Sequence, residues 1–331
     1  MLVNMKTIKP KEKNIAARPF LKWAGGKSQL LNELVEHLPV NFKNTQIIES
    51  YVEPFVGGGA MFFYLKSKYH IKKSFLFDIN REIIVGYKVM QNSHNQLIDK
   101  LQKIEIEYLS KTDERRKEYY YKIRDIYNKQ MQKFDYENYN DDWIERASYL
   151  IFLNKTCYNG LFRQNRKGEF NVPFGKYKNP SICCTENLIE VHKALEDTEL
   201  FCADFTEADN YIKNGSLVYL DPPYLPLSRT SSFTSYSKED FTAKDQKRLA
   251  EFYGKMDRRG AYLMLSNSDP KNEDPANDFF DELYKKYFID RVQASRVINC
   301  KGSKRGLINE LIITNYKPGG EYARQIMAEN I

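Results

Sequence analysis

Short apolar runs alternate with helical stretches along most of this chain, so hydrophobic periods of two and of about 3.6 residues follow one another. Ile47 to Phe55 is strand-like and enters the turn Val56-Gly57-Gly58-Gly59, and an apolar helix is predicted from Ala60 to Lys68. Ser74-Phe75-Leu76-Phe77 is a second strand that ends at Asp78, with a helix expected from Arg81. Leu200 to Ala203 and Ser216 to Leu220 are further strand-like runs, the latter leading into Asp221. Ala261 to Leu265 precedes Ser266-Asn267, and Phe288 to Ile298 and Leu307 to Tyr316 flank a polar loop over 299–306, the pattern of a long hairpin. Strands alternating with helices argue an α/β fold with a mostly parallel sheet, to which the C-terminal hairpin adds antiparallel strands.

The stretch 88–184 breaks this rhythm. It is helical in pattern, dense in tyrosine and charge, and ends in a segment from Asn154 to Lys178 rich in Gly, Asn, Arg, Lys and aromatics. It reads as an inserted helical domain ending in a recognition hairpin. The catalytic domain would then be 19–87 with 185–331, preceded by a flexible basic lead over 1–18. Tyrosines between Tyr119 and Tyr149, Tyr127, Tyr136 and Tyr139 among them, read as helix-packing residues.

Composition adds limits. The 331 residues are 42% hydrophobic and 29% charged, and no apolar run nears the ~18 residues of a membrane span. The net charge of +7 and pI of about 8.9 lean toward a polyanionic partner. The N-terminal stretch lacks the apolar centre of a secretion signal. Five cysteines, Cys157, Cys183, Cys184, Cys202 and Cys300, include no C-x-x-C pair and are accompanied by four histidines. No metal site is expected, and all five read as small buried hydrophobes in a reducing cytoplasm.

Candidate chemistry sits where predicted strands end. Asp221-Pro222-Pro223-Tyr224 joins a carboxylate, two prolines that fix φ and stiffen neighbouring carbonyls, and an aromatic ring that can stack on a flat heterocycle. Such a group suits a planar exocyclic amine. Glu53-Pro54-Phe55-Val56-Gly57-Gly58-Gly59 is a strand-to-helix turn that lets backbone approach a ligand, and Asp78 on the next strand end can accept from ribose hydroxyls. The ligand is then NAD or the adenosine of S-adenosylmethionine. Phe20-Leu21-Lys22-Trp23-Ala24-Gly25-Gly26-Lys27-Ser28 ends like a phosphate loop but has Leu21 where that pattern needs glycine. It reads either as a helix cap with a buried Trp or as a nest that holds a carboxylate with Trp23 and Lys27.

In this order the segments resemble the alpha-class N6-adenine DNA methyltransferases of the Dam type, including those of DpnII-like restriction systems. The most specific matches are Tyr158-Asn159-Gly160-Leu161, Gly168 to Gly175, and Asp221 to Ser228. The resemblance implies a class I (Rossmann-like) methyltransferase fold, S-adenosylmethionine without a metal, and duplex DNA containing GATC. Double-stranded DNA is the partner, with a cognate restriction endonuclease on the same site as an optional second. It also implies a bacterial or phage origin. By that resemblance Trp23, Lys27, Asp78 and Asp221 look like cofactor contacts, and Glu53, Phe55, Gly57 and Gly59 like the cofactor loop. Asp204 and Phe205 look like the segment flanking the cofactor adenine. Asp221, Pro222, Pro223 and Tyr224 look like the catalytic tetrad. Lys22, Tyr158, Asn159, Leu161, Arg163, Pro173, Ser237, Lys304 and Arg305 look like DNA contacts, with Arg163 placed for a guanine edge and Tyr158 for a wedge.

Competing readings remain at this point. A cytosine-C5 enzyme needs a cysteine nucleophile, typically after proline, and the chain has no Pro-Cys pair. An N4-cytosine methyltransferase and a non-catalytic DNA-binding protein on a methyltransferase scaffold stay open.

Overall fold

The strands that carry the site are apolar on both faces. Leu217 and Tyr219 of one strand join one hydrophobic cluster, while Val218 and Leu220 join the other. Met264 against Leu263 and Leu265, and Ile312 against Leu311 and Ile313, divide the same way. Side chains alternate across a strand, so a sheet covered on both faces is required. The structure is a computed structural model that describes residues 16–23, 27, 30–165, 167–224, 241–295 and 307–318.

Its strands are β1 (Ile47–Ile48), β2 (Tyr51–Glu53), β3 (His70–Ile71), β4 (Ser74–Asp78), β5 (Thr198–Cys202), β6 (Leu217–Leu220), β7 (Tyr262–Ser268), β8 (Phe288–Ser295) and β9 (Leu307–Thr314). The helices are α1 (Leu31–Glu36), α2 (Val40–Thr45), α3 (Ala60–Lys68), α4 (Arg81–Asn92), α5 (His94–Leu109), α6 (Asp113–Gln130), α7 (Asp142–Thr156), α8 (Thr185–Ala194), α9 (Ala243–Arg258) and α10 (Phe279–Leu283).

Seven strands form the main sheet in the order β5-β4-β2-β6-β7-β9-β8, and β1 and β3 pair separately. The pairs from β5 to β7 are parallel, while β9 runs antiparallel to both β7 and β8. The expected parallel sheet with a C-terminal antiparallel hairpin is therefore present, and β9 sits inside the sheet rather than at its edge. Strand order reverses between β2 and β6, which opens a crevice at their carboxyl ends.

The run from Ile47 to Phe55 is not one strand. Ile47–Ile48 pair with His70–Ile71 and Tyr51–Glu53 with Ser74–Leu76, and both chains bend between the two pairings, at Glu49 and at Lys72. Helix α3 matches its expected bounds, and α4 starts where expected, with the Asn80 side chain accepting from Glu82 N–H at 3.0 Å. Helices α5, α6 and α7 follow, and their apolar faces continue the cluster that covers one side of the sheet. The segment after α7 is a narrow ribbon with two antiparallel bridges, Cys157–Phe174 and Gln164–Phe170.

The cysteines correct one expectation. Cys157 is buried and its thiol is pushed up to about 12 by burial, but Cys184, ahead of α8, and Cys202, last in an edge strand, are exposed. Cys300 lies outside the described residues. Among the described residues, no helix is long and apolar enough to cross a membrane.

Candidate active site

Parallel registry brings three carboxylates to one rim. Tyr51 pairs with both Ser74 and Leu217, so Glu53 on β2, Asp78 on β4 and Asp221 after β6 leave the sheet side by side. Glu53 is 2% exposed and accepts from the Tyr51 hydroxyl at 2.7 Å. Burial pushes its pKa well up against that hydrogen bond, and the charges of Asp221 and Asp78 add to the rise. Burial also raises Asp78, to about 6, although it accepts from Asn80 and Gly57 N–H at 2.8 and 2.9 Å.

The glycine turn closes on this rim. Gly57 and Gly59 have φ of +47° and +70°, a region costly for other residues. A Cβ on Gly57 would lie 3.0 Å from Trp23 Cδ1, and one on Gly59 would strike the Tyr87 hydroxyl. Phe55 packs on Phe205 and Phe241 at 5.4 and 5.8 Å between ring centres. Phe205 is buried beneath these rings, with the Arg248 guanidinium 4.9 Å from its ring centre. Burial alone would raise Asp204, but hydrogen bonds from Thr206 and the Arg248 ion pair at 2.8 Å hold it below the usual range. Beside Asp78, Ile79 exposes 65% of its surface at the mouth of the crevice.

Across the switch point, Asp221 meets a small ionic cluster. Lys27 Nζ lies 3.2 Å from both Asp221 Oδ1 and Glu310 Oε2, with side chains 4% exposed for Lys27 and 8% for Glu310. Ser266 donates to Asp221 Oδ1 at 3.0 Å. Burial raises the Asp221 pKa, Lys27 opposes the rise and Glu310 reinforces it. The Tyr224 hydroxyl donates to Glu310 Oε2 at 2.5 Å, and Lys27 Nζ sits 4.2 Å from the Tyr224 ring centre. Pro222 is buried and Pro223 exposed; the Pro223 carbonyl accepts from Gln246 Nε2 at 3.3 Å, and Gln246 in turn accepts from Asn267. Lys27, expected on a ligand carboxylate, thus sits between two carboxylates of the chain.

The ribbon after α7 presents a second set. Tyr158 is 56% exposed, Asn159 takes φ +58°, and Pro173 is exposed with its carbonyl accepting from Tyr158 N–H at 2.8 Å. Arg163 is half-buried and donates from Nε to Asn171 Oδ1 at 2.9 Å. Leu161 is half-buried and Lys22 is exposed. Ser237, Lys304 and Arg305, with Lys301 and the loop 225–237, lie outside the described residues.

Three strand-end carboxylates beside a glycine turn, with the ribbon of Tyr158 and Arg163 after α7, are what the chain brings to the comparison with known proteins. Residues 23–298 match the profile of the D12 class N6 adenine-specific DNA methyltransferases. The chain belongs to this family. The adenine methyltransferase is 52% identical over 301 residues to the type II methyltransferase M.MjaIII of Methanocaldococcus jannaschii, spanning 90% of this chain and 99% of that one. It is 37% identical to the type II methyltransferase M1.LlaDCHI of Lactococcus lactis subsp. cremoris, over 91% and 96% of the two chains. The DNA adenine methylase of Escherichia coli (strain K12) is 33% identical, over 91% and 96%. Family membership decides for N6-adenine over N4-cytosine chemistry and for an enzyme over a bare binding scaffold.

Sequence reasoning about the methyltransferase missed Glu310, Gln246 and the role of Ser266. Glu310 stands in an apolar strand without a motif, and an acid flanked by Asn309 and Leu311 was the one available signal. Ile79, an apolar residue directly after a strand-ending acid, was a second.

Proposed function

We propose that this methyltransferase uses S-adenosylmethionine to methylate the N6-amino group of adenine in duplex GATC, with the target base flipped out of the helix. The observation that carries the reading is the juxtaposition of the glycine turn and Asp78 with Asp221 to Tyr224 across one switch point. The chain's own groups fit the cofactor. Gly57 and Gly59 leave a turn without side chains, buried Glu53 can meet an ammonium, Asp78 can accept from a ribose, and Ile79 offers an apolar platform for a base. Trp23 and Phe55 wall the same crevice, with Phe205 packed behind Phe55 and Asp204 next to it in the chain. Bound there, S-adenosylmethionine supplies an electrophilic methyl group.

The protein's part is positioning and electrostatics. The N6 lone pair of adenine is delocalised into the ring. Asp221 accepts one N6 hydrogen and the Pro222 carbonyl the other, which favours a pyramidal nitrogen with a localised pair. Among the described residues the contacts of the Asp221 carboxylate fall on Oδ1, so Oδ2 is assigned to the base. Tyr224 stacks on the flipped ring. Residues 88–184 serve as the target-recognition region, with Tyr158 as wedge, Asn159, Leu161, Pro173 and Lys22 on the duplex, and Arg163 on a guanine edge. Ser237, Lys304 and Arg305 are proposed phosphate contacts by resemblance alone. A restriction endonuclease sharing the site is the second proposed partner.

The test is methyl incorporation from labelled S-adenosylmethionine into unmethylated plasmid, followed by nucleases that distinguish methylated from unmethylated GATC. Incorporation with unchanged GATC cleavage would refute the site, and no incorporation would refute the reaction.

Two further expectations follow here. Asp78 must be ionised to accept from both ribose hydroxyls, and its pKa is about 6. Protonation below that value removes an acceptor, so the affinity for S-adenosylhomocysteine should fall by about tenfold from pH 8 to pH 5. Glu53, also raised, acts in the same direction. Calorimetric titration across that range checks it, and a flat profile would remove Asp78 from the cofactor. Arg163→Ala should relax sequence choice at one base pair by about 1–3 kcal/mol. Methylation rates on singly substituted duplexes measure this; an equal loss on every sequence would make Arg163 a phosphate contact.

A further inference from the structure

One two-residue segment forms a wall of both halves of the site. Lys22 is clamped by Asn154, a buried amide near the end of α7. Its Oδ1 accepts from Lys22 N–H at 2.8 Å, and its Nδ2 donates to the carbonyls of Lys22 at 2.9 Å and of Gly160 at 3.1 Å. Both amide donors are thereby used, on partners 132 residues before and six residues after it. Gly160 has φ +63°, and a Cβ there would fall 2.7 Å from Lys22 Cδ, so the lysine stem lies against the glycine. The next residue, Trp23, stacks on Phe162 with ring centres 4.9 Å apart and planes 24° apart. Its indole also lies on Gly57, and its Cβ would be 3.3 Å from a Cβ on Gly58.

The contacts therefore run without a gap from the glycine turn through Trp23 to Phe162, and from Lys22 through Asn154 to Gly160. Phe162 and Gly160 belong to the ribbon that carries Tyr158, Asn159 and Arg163. Close-packed contacts of this kind pass a displacement on rather than absorbing it.

We propose that Asn154 and Phe162 are positioning residues that couple filling of the cofactor crevice to target recognition, through the Lys22-Trp23 segment. A ligand packed against Gly57 holds the Trp23 indole. Phe162 and Asn154 then hold the ribbon in the geometry that reads DNA. The coupling is reciprocal, so a cognate duplex tightens the cofactor by the factor with which the cofactor tightens the duplex. This inference rests on reading the Gly57 crevice as the S-adenosylmethionine site.

The experiment measures the Kd of S-adenosylhomocysteine by calorimetry on the full chain. It compares free protein with protein saturated by the duplex it methylates and with a scrambled duplex, for wild type, Asn154→Ala and Phe162→Leu. Thermal melts establish which variants fold, and the milder Phe162→Leu stands if Asn154→Ala does not. In wild type the methylated duplex should tighten the product by about tenfold, within the usual range of coupling factors, and the scrambled one by much less. In the variants that factor should fall below about twofold, with the Kd for S-adenosylhomocysteine alone little changed. Their preference for the cognate duplex over one altered at a single base pair should narrow in parallel. An unchanged factor in the folded variants would overturn the proposal. So would a wild type without coupling, or variants that lose both affinities with the factor intact. Methyl transfer by wild type is scored separately, so failed coupling is distinguishable from a failed assignment of the reaction.

Discussion

Asp221→Ala should lower kcat by about 10³-fold, some 4 kcal/mol of transition-state stabilisation, while duplex binding persists. The size follows from the place of this carboxylate. It is the acceptor assigned to the adenine amine, and its removal leaves N6 delocalised and unaligned. The fold should survive, because Lys27 retains Glu310 at 3.2 Å and β6 remains paired on both sides. Tyr224 likewise retains its bond to Glu310. Single-turnover methylation with duplex and cofactor in excess isolates the chemical step, and gel-shift titration reports binding. Near-normal turnover with lost duplex affinity would remove Asp221 from the chemistry.

Arg146→Ala should reduce the unfolding free energy by about 3–5 kcal/mol, the range for stripping one partner from a buried ion pair. Glu82 on α4 accepts from Arg146 Nε and Nη2 at 2.8 and 2.5 Å, and from the hydroxyls of Tyr127 and Tyr136 at 2.9 and 2.5 Å. Arg146 also donates to the Tyr127 carbonyl at 3.0 Å and lies 4.3 Å from that ring centre. Truncation would leave a buried carboxylate whose remaining partners are neutral. The pair Glu82→Leu with Arg146→Met, which removes both charges and fills the space, should cost less than Arg146→Ala alone. Urea unfolding of the three variants decides, and a loss under about 1 kcal/mol for Arg146→Ala would make the pair an exposed-type bridge. Because α4 begins three residues after Asp78 and α7 carries Asn154, this pair also ties α7 to the element that follows Asp78.

The elements that local pattern specifies were legible in the sequence. Helix α3 follows from an apolar run after glycines, and Asp78 and Asp221 stand at strand ends because polar residues close apolar runs there. What stayed hidden depends on pairing across long separations. Nothing near Glu82 announces Arg146, 64 residues on, and Tyr127 and Tyr136 read as packing residues although their hydroxyls also satisfy that carboxylate. The break between β1 and β2 comes with bends in both paired chains, at Glu49 and at Lys72, which the apolar run does not announce. Cys202 is apolar enough to suggest burial, but its exposure is set by the edge position of β5, which only the strand order reveals.

Strand β9 has a consequence for folding order. Although it is the last in sequence of the described strands, it lies between β7 and β8 and carries Glu310 into the cluster with Lys27 and Tyr224. This strand cannot leave without stripping β8 from the sheet and the acid from Tyr224. During synthesis β2 and β4 emerge first and can pair early, while completion of the Lys27-Glu310-Tyr224 cluster waits for β9 to insert. Completion of the sheet and closure of the Lys27-Glu310-Tyr224 cluster are thus one event.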